Sequence, residues 1–233
     1  MHDASLLDGA PVDVNFTVRE DRWRYESNEN NRLTRHEKCN YHIGWAADKD
    51  VFYPSQEGNV LKVFVDHATF SDTAPDYSLN IMMSLCRLRE DVSSGKVNGF
   101  SSLEVTTLTD NGIESVDLNN ISIKPYNSKA VPLTEFSKVL RSSHVFIVTH
   151  NESVGLTVLE AAFCGAYLFV PEGTINPDRI KCVKYTSFKG RIDWSGIEEK
   201  INPEINSAYV KSYNWDNVTF KLLRGLIDMQ KRY

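Results

Sequence analysis

The strongest constraint on the fold of this chain is a set of short apolar runs, each joined to a segment of helical periodicity. Leu61-Lys62-Val63-Phe64-Val65, His144-Val145-Phe146-Ile147-Val148 and Tyr167-Leu168-Phe169-Val170 are strand-length and rich in β-branched and aromatic residues. Their near-continuous apolarity, rather than alternation, is what a strand buried on both faces needs. Leu103–Leu108 reads as a further strand, as does Ile121–Ile123, which Pro125 stops. Between the strands, Ser78–Arg89 carries Leu79, Met82, Met83 and Cys86 at helical spacing. Thr134–Ser142 reads as a short helix capped by Thr134, and further helices are expected over about Gly155–Cys164 and Trp215–Lys231. Strand and helix alternate, which predicts an α/β fold: an open parallel sheet with helices on both faces. Such sheets take ligands at the carboxyl ends of their strands. The informative loops are therefore those after Val65, Leu108, Ile123, Val148 and Val170.

Composition narrows the function classes. The chain has 233 residues and 26 Lys plus Arg against 31 Asp plus Glu, a formal net charge of −5. An acidic balance argues against an electrostatic grip on nucleic acid, which needs a basic face. Cys39, Cys86, Cys164 and Cys182 form no C-x-x-C pair and fit neither a zinc site nor a disulfide framework. They read as reduced thiols, and no metal site is expected. The N-terminus lacks a basic n-region and an apolar h-region, and no stretch approaches the ~20 apolar residues of a transmembrane segment. The expected location is cytoplasmic. Residues 1–41 are polar and weakly patterned and read as loop or as the remnant of another lobe; residues 42–233 hold the α/β pattern.

One segment carries chemistry: Thr149-His150-Asn151-Glu152-Ser153-Val154-Gly155-Leu156-Thr157-Val158-Leu159-Glu160. A buried strand runs into a polar loop, and the loop opens a helix at Gly155. The first amides of that helix, at Gly155, Leu156 and Thr157, have no intrahelical partner. With the helix dipole they form an anion site, and Gly155 allows a phosphate close to the backbone. Glu152 lies in the loop, and Glu160 interrupts an apolar face made by Leu156, Leu159 and Phe163. A carboxylate accepts two hydroxyls at once, so a ribose diol suits Glu160. The competing reading is that Glu152 is a solvated loop residue and Glu160 a buried acid paired with an Arg or Lys.

Glu152 and Glu160 form an E-x7-E pattern that resembles the retaining glycosyltransferases of the GT-B fold, family 4-like. Three further stretches resemble that family in the same order. Gly44-Trp45-Ala46-Ala47-Asp48 through Phe52-Tyr53-Pro54 is similar to the linker that opens its C-terminal lobe. Glu160-Ala161-Ala162-Phe163-Cys164-Gly165 is similar to its E-A-x-A-x-G stretch. Ser212-Tyr213-Asn214-Trp215 is similar to the start of its final helix. The likeness covers about residues 42–230. It implies a Rossmann-like, nucleotide-sugar-binding lobe of an enzyme that transfers a sugar to an acceptor with retention of configuration. It further implies that Glu160 holds the ribose, that the amides near Gly155, Leu156 and Thr157 hold the diphosphate, and that Glu152 meets the sugar hydroxyls as the catalytic carboxylate. The base would lie in the loop after Ile123, by Lys124 and Pro125, with His150, Gly173 and Thr174 as further donor contacts. No cofactor and no catalytic metal are implied. The acceptor, a glycan, lipid or small molecule, would be bound by a separate lobe or chain, since 233 residues are about one lobe plus a remnant.

The chain departs from the family after its first strand. Val65-Asp66-His67-Ala68-Thr69-Phe70-Ser71-Asp72 holds none of the Gly, Lys or Arg that the family uses there to neutralise a diphosphate. His67, Lys124, Lys129, Arg179 and Lys181 are the candidate substitutes. An alternative is therefore a degenerate, non-catalytic domain of the same fold that binds a nucleotide or a protein. A receiver-like domain would need an acidic cluster after the first strand, and Asp66 alone is not one. Trp45 and Trp215 read as packing residues.

Overall fold

The computed structural model describes residues 15–17, 40–42, 46–66, 75–109, 116–118, 121–127, 132–149, 156–172, 184–208 and 210–231. The chain divides into two compact units, Met1–Ala47 with Ser212–Tyr233, and Asp48–Lys211.

The first unit contains strands β1 (Asn15–Thr17) and β2 (Asn40–His42), which pair in parallel within the stretch expected to be loop. It also contains a helix near the C-terminus, Trp215–Gln230. The Asn214 side chain caps that helix, its Oδ1 accepting the Asn217 amide proton at 2.9 Å. The Ala47 amide donates to the Tyr213 carbonyl at 3.1 Å. Trp215, expected to pack, is 58% exposed.

The second unit follows the expected α/β order. Strand β3 (Val60–Val65) leads into helix α1 (Pro75–Ser93), then β4 (Ser102–Thr109), β5 (Val116–Leu118) and β6 (Ile121–Asn127). Helix α2 (Leu133–Ser142), β7 (Val145–Ile147), α3 (Leu156–Phe163) and β8 (Tyr167–Pro171) follow. The unit ends with β9 (Tyr185–Phe188) and short helices α4 (Ile197–Lys200) and α5 (Pro203–Ala208); the C-terminal helix of the first unit is α6. The sheet has seven strands in the order β5-β6-β4-β3-β7-β8-β9, all parallel except β5, which runs antiparallel to β6.

Both faces of the sheet are covered. On one, Leu61, Val63, Val65, Val145, Ile147 and Phe169 pack with Ile81, Leu85 and Leu88 of α1 and with Trp194 and Ile197. The Trp194 indole N–H donates to the Ser84 carbonyl at 2.7 Å, and Ser84 Oγ accepts the Ile192 amide at 2.9 Å, so α1 anchors the segment after β9. On the other face Phe64 stacks on Phe146 at 5.4 Å and meets Phe136 of α2 edge-on at 6.1 Å. Helix α3 packs beside α2 and against β8. Burial on both faces is why these strands carry no polar alternation.

Two local expectations are corrected. Pro125 does not stop a strand: β6 continues to Asn127, with Pro125 opposite Thr107 of β4. Among the described residues β5 pairs with β6 at Ile121–Ile123 and not beyond, so no described strand needs an N–H from Pro125 on that side. Thr134 does not cap α2. The cap position is Pro132, whose carbonyl accepts the amides of Glu135 and Phe136 at 2.9 and 3.1 Å, while Thr134 lies in the first turn.

His144, which leads into β7, is 4% exposed, and its Nδ1 accepts the Lys62 amide proton at 3.1 Å. Burial and the nearby Lys62 charge hold its pKa down to about 4.

Candidate functional site

The strand order reverses between β3 and β7. From β3 the chain steps outward through β4 to β6, then returns to β7 on the other side of β3. In an open parallel sheet the two crossovers leave a crevice at that point, outside the carboxyl ends of the strands. Asp66 follows β3 and Thr149 follows β7, both buried, 5% and 1% exposed. The Asp66 amide donates to the Ile147 carbonyl at 3.0 Å, and Thr149 Oγ1 donates back to the Asp66 carbonyl at 3.2 Å. The floor of the crevice is thus tied across the two strands. In the sequence this pair is marked only by a polar residue directly after each of two apolar strands.

Helix α3 starts beside this crevice. Leu156 is its first residue, 47% exposed, and Thr157 the second, half-buried. Its first turn holds no acidic residue, so its leading amides face the crevice end without a competing carboxylate of their own helix. The rest of the helix is buried through Val158, Leu159, Ala161, Ala162 and Phe163. It stops at Gly165 with φ 81°, the Ala166 amide donating to Ala161 and the Gly165 amide to Ala162, a Schellman end. A Cβ on Gly165 would lie 2.6 Å from the Pro203 carbonyl oxygen, so only glycine fits there.

Glu160 sits one turn into α3 and is largely buried. Burial raises its carboxyl pKa from 4.5 to about 7. Among the described residues no cation or hydrogen-bond donor is paired with its side chain, which removes the described Arg and Lys residues as the structural partner weighed from sequence. A carboxyl group with no partner among the described residues is chemically suited to accept hydroxyl donors.

Lys124 and Pro125 lie inside β6, opposite Thr106 and Thr107, and not in a loop as expected. His150, Glu152, Gly155, Gly173 and Thr174 lie outside the described residues, as do the candidate cations His67, Lys129, Arg179 and Lys181. Among the described residues no group of His, Cys, Asp and Glu side chains could hold a metal ion. No described helix is long and apolar enough to cross a membrane. A cleft of about 480 Å³ near Gln56, Ile201 and Pro203 belongs to the opposite end of the sheet. There Gln56 Nε2 donates to the carbonyls of Ser143 and Cys164, which precede β7 and β8, both at 2.7 Å.

No protein-family model matches the sequence, and no curated protein matches it. Solved structures do match the fold. A glycosyltransferase from Rickettsia africae superposes with a TM-score of 0.61 at 12% identity, over 99% of this chain and 66% of that one. The accessory secretory protein 1, 2 and 3 structure of Streptococcus pneumoniae gives 0.57 at 11% identity, over 95% and 44%. Sucrose-phosphate synthase of Thermosynechococcus elongatus gives 0.52 at 12% identity, over 97% and 59%. The chain therefore spans 66% or less of the length of these three proteins. What it shares with them is the fold: a Rossmann-like parallel sheet with helices on both faces, as expected from the sequence.

Proposed function

We propose that this chain is the donor-binding lobe of a glycosyltransferase that moves a sugar from a nucleotide-sugar to an acceptor with retention of configuration. The observation that carries the reading is Glu160, a buried carboxyl with no cation beside it among the described residues, one turn into the helix that opens at the switch-point crevice. The leading amides of α3, at Leu156 and Thr157 with Gly155 before them, hold the diphosphate and share the charge of the leaving group. Glu160 accepts the ribose hydroxyls, and Glu152 orients the transferred sugar. Lys124 and Pro125, in β6, stand on the side of the base. The acceptor is bound by a separate lobe or chain. The fold neighbour from Rickettsia africae is a glycosyltransferase, which supports the class.

The test is calorimetric titration of the folded chain with UDP, GDP, ADP and CMP. The reading expects one of them to bind, and Glu160→Ala to weaken it by about 1.5–3 kcal/mol, the worth of a charged hydrogen bond. Absence of binding by all four overturns it.

A second reading rests on the stretch after β3, where residues 66–72 contain no Lys or Arg. A diphosphate would meet no cation from this stretch, which favours a domain that binds a nucleotide or a protein without transferring sugar. Binding of the nucleotide without release of sugar from any nucleotide-sugar, in the presence of candidate acceptors, would select this reading.

A further inference from the structure

The cleft beside Gln56, at the far end of the sheet from the switch-point crevice, is lined by two segments that are held to one turn. Gln56 donates through Nε2 to the carbonyls of Ser143 and Cys164, both at 2.7 Å. The Ser55 amide donates to the Arg141 carbonyl at 3.0 Å, so this segment is also fixed to the end of α2. The second segment begins at Ile201. Pro203 packs so closely on Gly165 that a Cβ there would lie 2.6 Å from the Pro203 carbonyl oxygen. Buried Asn206 donates through Nδ2 to the carbonyls of Gly165 and Lys200, both at 3.1 Å. Cys164 and Gly165 thus hold both segments, and the cleft of about 480 Å³ that they line is preformed.

This cleft presents acceptors. Gln56 Oε1 is buried and accepts no hydrogen bond among the described residues. Turning the amide over would set that oxygen against two carbonyls, so its orientation is fixed and a donor has to come to it. A buried acceptor without a donor is costly and rare in folded proteins. Glu57 and Glu204, both exposed, add two carboxylates to the lining, and no described Lys or Arg lines the cleft. The basic residues beside the two segments are engaged elsewhere. Arg141 donates to the Tyr53 hydroxyl and lies 4.5 Å over its ring, and Lys200 Nζ donates to the Ser195 carbonyl at 3.0 Å. Pro54, Ile201 and Pro203 supply the apolar part of the lining. We propose that this cleft binds a small aliphatic amine in its ammonium form, at a site separate from the switch-point crevice. An ammonium group carries three donors and no acceptor, which suits one amide oxygen and two carboxylates. The methylenes of such a ligand lie against the two prolines and Ile201. An anion would meet no cation in the described lining, and a neutral polyol would leave both carboxylates without a counter-charge.

Heteronuclear chemical-shift titration of the full chain with cadaverine, a five-carbon diamine, tests this at about pH 7, where an aliphatic amine is charged. Pentanediol is the uncharged control. Cadaverine is expected to saturate at millimolar concentration and to move the Gln56 side-chain amide with the backbone amides of Glu57 and Asn202, while pentanediol leaves them in place. Glu57→Gln and Glu204→Gln, at exposed positions, should each weaken binding by about two- to fivefold, the worth of an exposed ion pair. Gln56→Met removes the orphaned oxygen and should abolish the saturable shifts. Should that variant fail to fold, the two glutamate variants and the Gln56 signal of the wild type still decide. Absence of saturation up to about 20 mM cadaverine overturns the proposal. So does an equal response to pentanediol, a set of shifts centred on Asp66 and Thr149 instead, or an affinity that the double glutamate variant leaves unchanged.

Discussion

Thr149 Oγ1 donates a 3.2 Å hydrogen bond to the carbonyl of Asp66, joining the ends of β7 and β3 at the point where the strand order reverses. Each of the two residues terminates an apolar strand, and the bond closes the floor of the crevice between them. Thr149→Val keeps the shape and removes the donor. We expect a stability loss of about 1 kcal/mol, the usual net worth of one intramolecular hydrogen bond. It would appear as a lower urea midpoint with an unchanged slope.

Glu160 should make the fold less stable as pH rises. Its folded pKa, about 7, stands above the ordinary 4.5, so the native state keeps its proton where the unfolded chain has lost it. The penalty is absent below pH 4.5, grows between 4.5 and about 7, and is complete above that. A shift of this size corresponds to a few kcal/mol at most, on the order of 3. Glu160→Gln should abolish this part of the pH dependence, and urea unfolding at pH 5 and pH 8 would show it. A titration profile indistinguishable from wild type would refute the burial argument.

His144 acts in the opposite direction. Its folded pKa, about 4, is below the ordinary 6.5, so the unfolded chain takes up a proton first as pH falls. Stability is lost on acidification through 6.5 and the loss levels off below about 4. His144→Asn should flatten that acid limb at the expense of the Phe100 edge contact, seen at 5.0 Å. Nuclear magnetic resonance titration of the imidazole would measure the pKa directly.

Gly165→Ala combines two costs. The position needs φ 81°, and the added methyl carbon would lie 2.6 Å from the Pro203 carbonyl oxygen. The expected loss is about 2 kcal/mol or more, lowering the thermal midpoint by several degrees. Gly58→Ala, at φ 81° with nothing within 4 Å of the new carbon, is the control that carries the backbone strain alone.

The sequence reading located the helices and strands that bury apolar surface, because burial on two faces leaves a pattern in the residues themselves. The apolar cores of β3, β7 and β8 stand where the runs at Val63, Phe146 and Phe169 placed them. Within the seven-stranded sheet it missed β5 and β9. Both lie at the edges of the sheet, where pairing on one side only demands little apolar pattern. It ended a strand at Pro125 because local propensity cannot show that, among the described residues, β6 pairs there with β4 alone.

For the site, the polar loop and the acid that interrupts α3 were legible one residue at a time. Glu160 was visible as a misfit on an apolar face, but whether a cation stood beside it depended on which segments came to lie against α3. The sequence by itself determined the layer pattern, since apolar period follows from burial and burial from solvent exclusion. Only the tertiary structure decided that β3 and β7 are neighbours, that Asp66 and Thr149 meet there, and that Gln56 bridges the carbonyls of Ser143 and Cys164. Each of these depends on contacts between residues far apart in the chain, and the free energy of such contacts is set by packing and loop closure together, which no local pattern records.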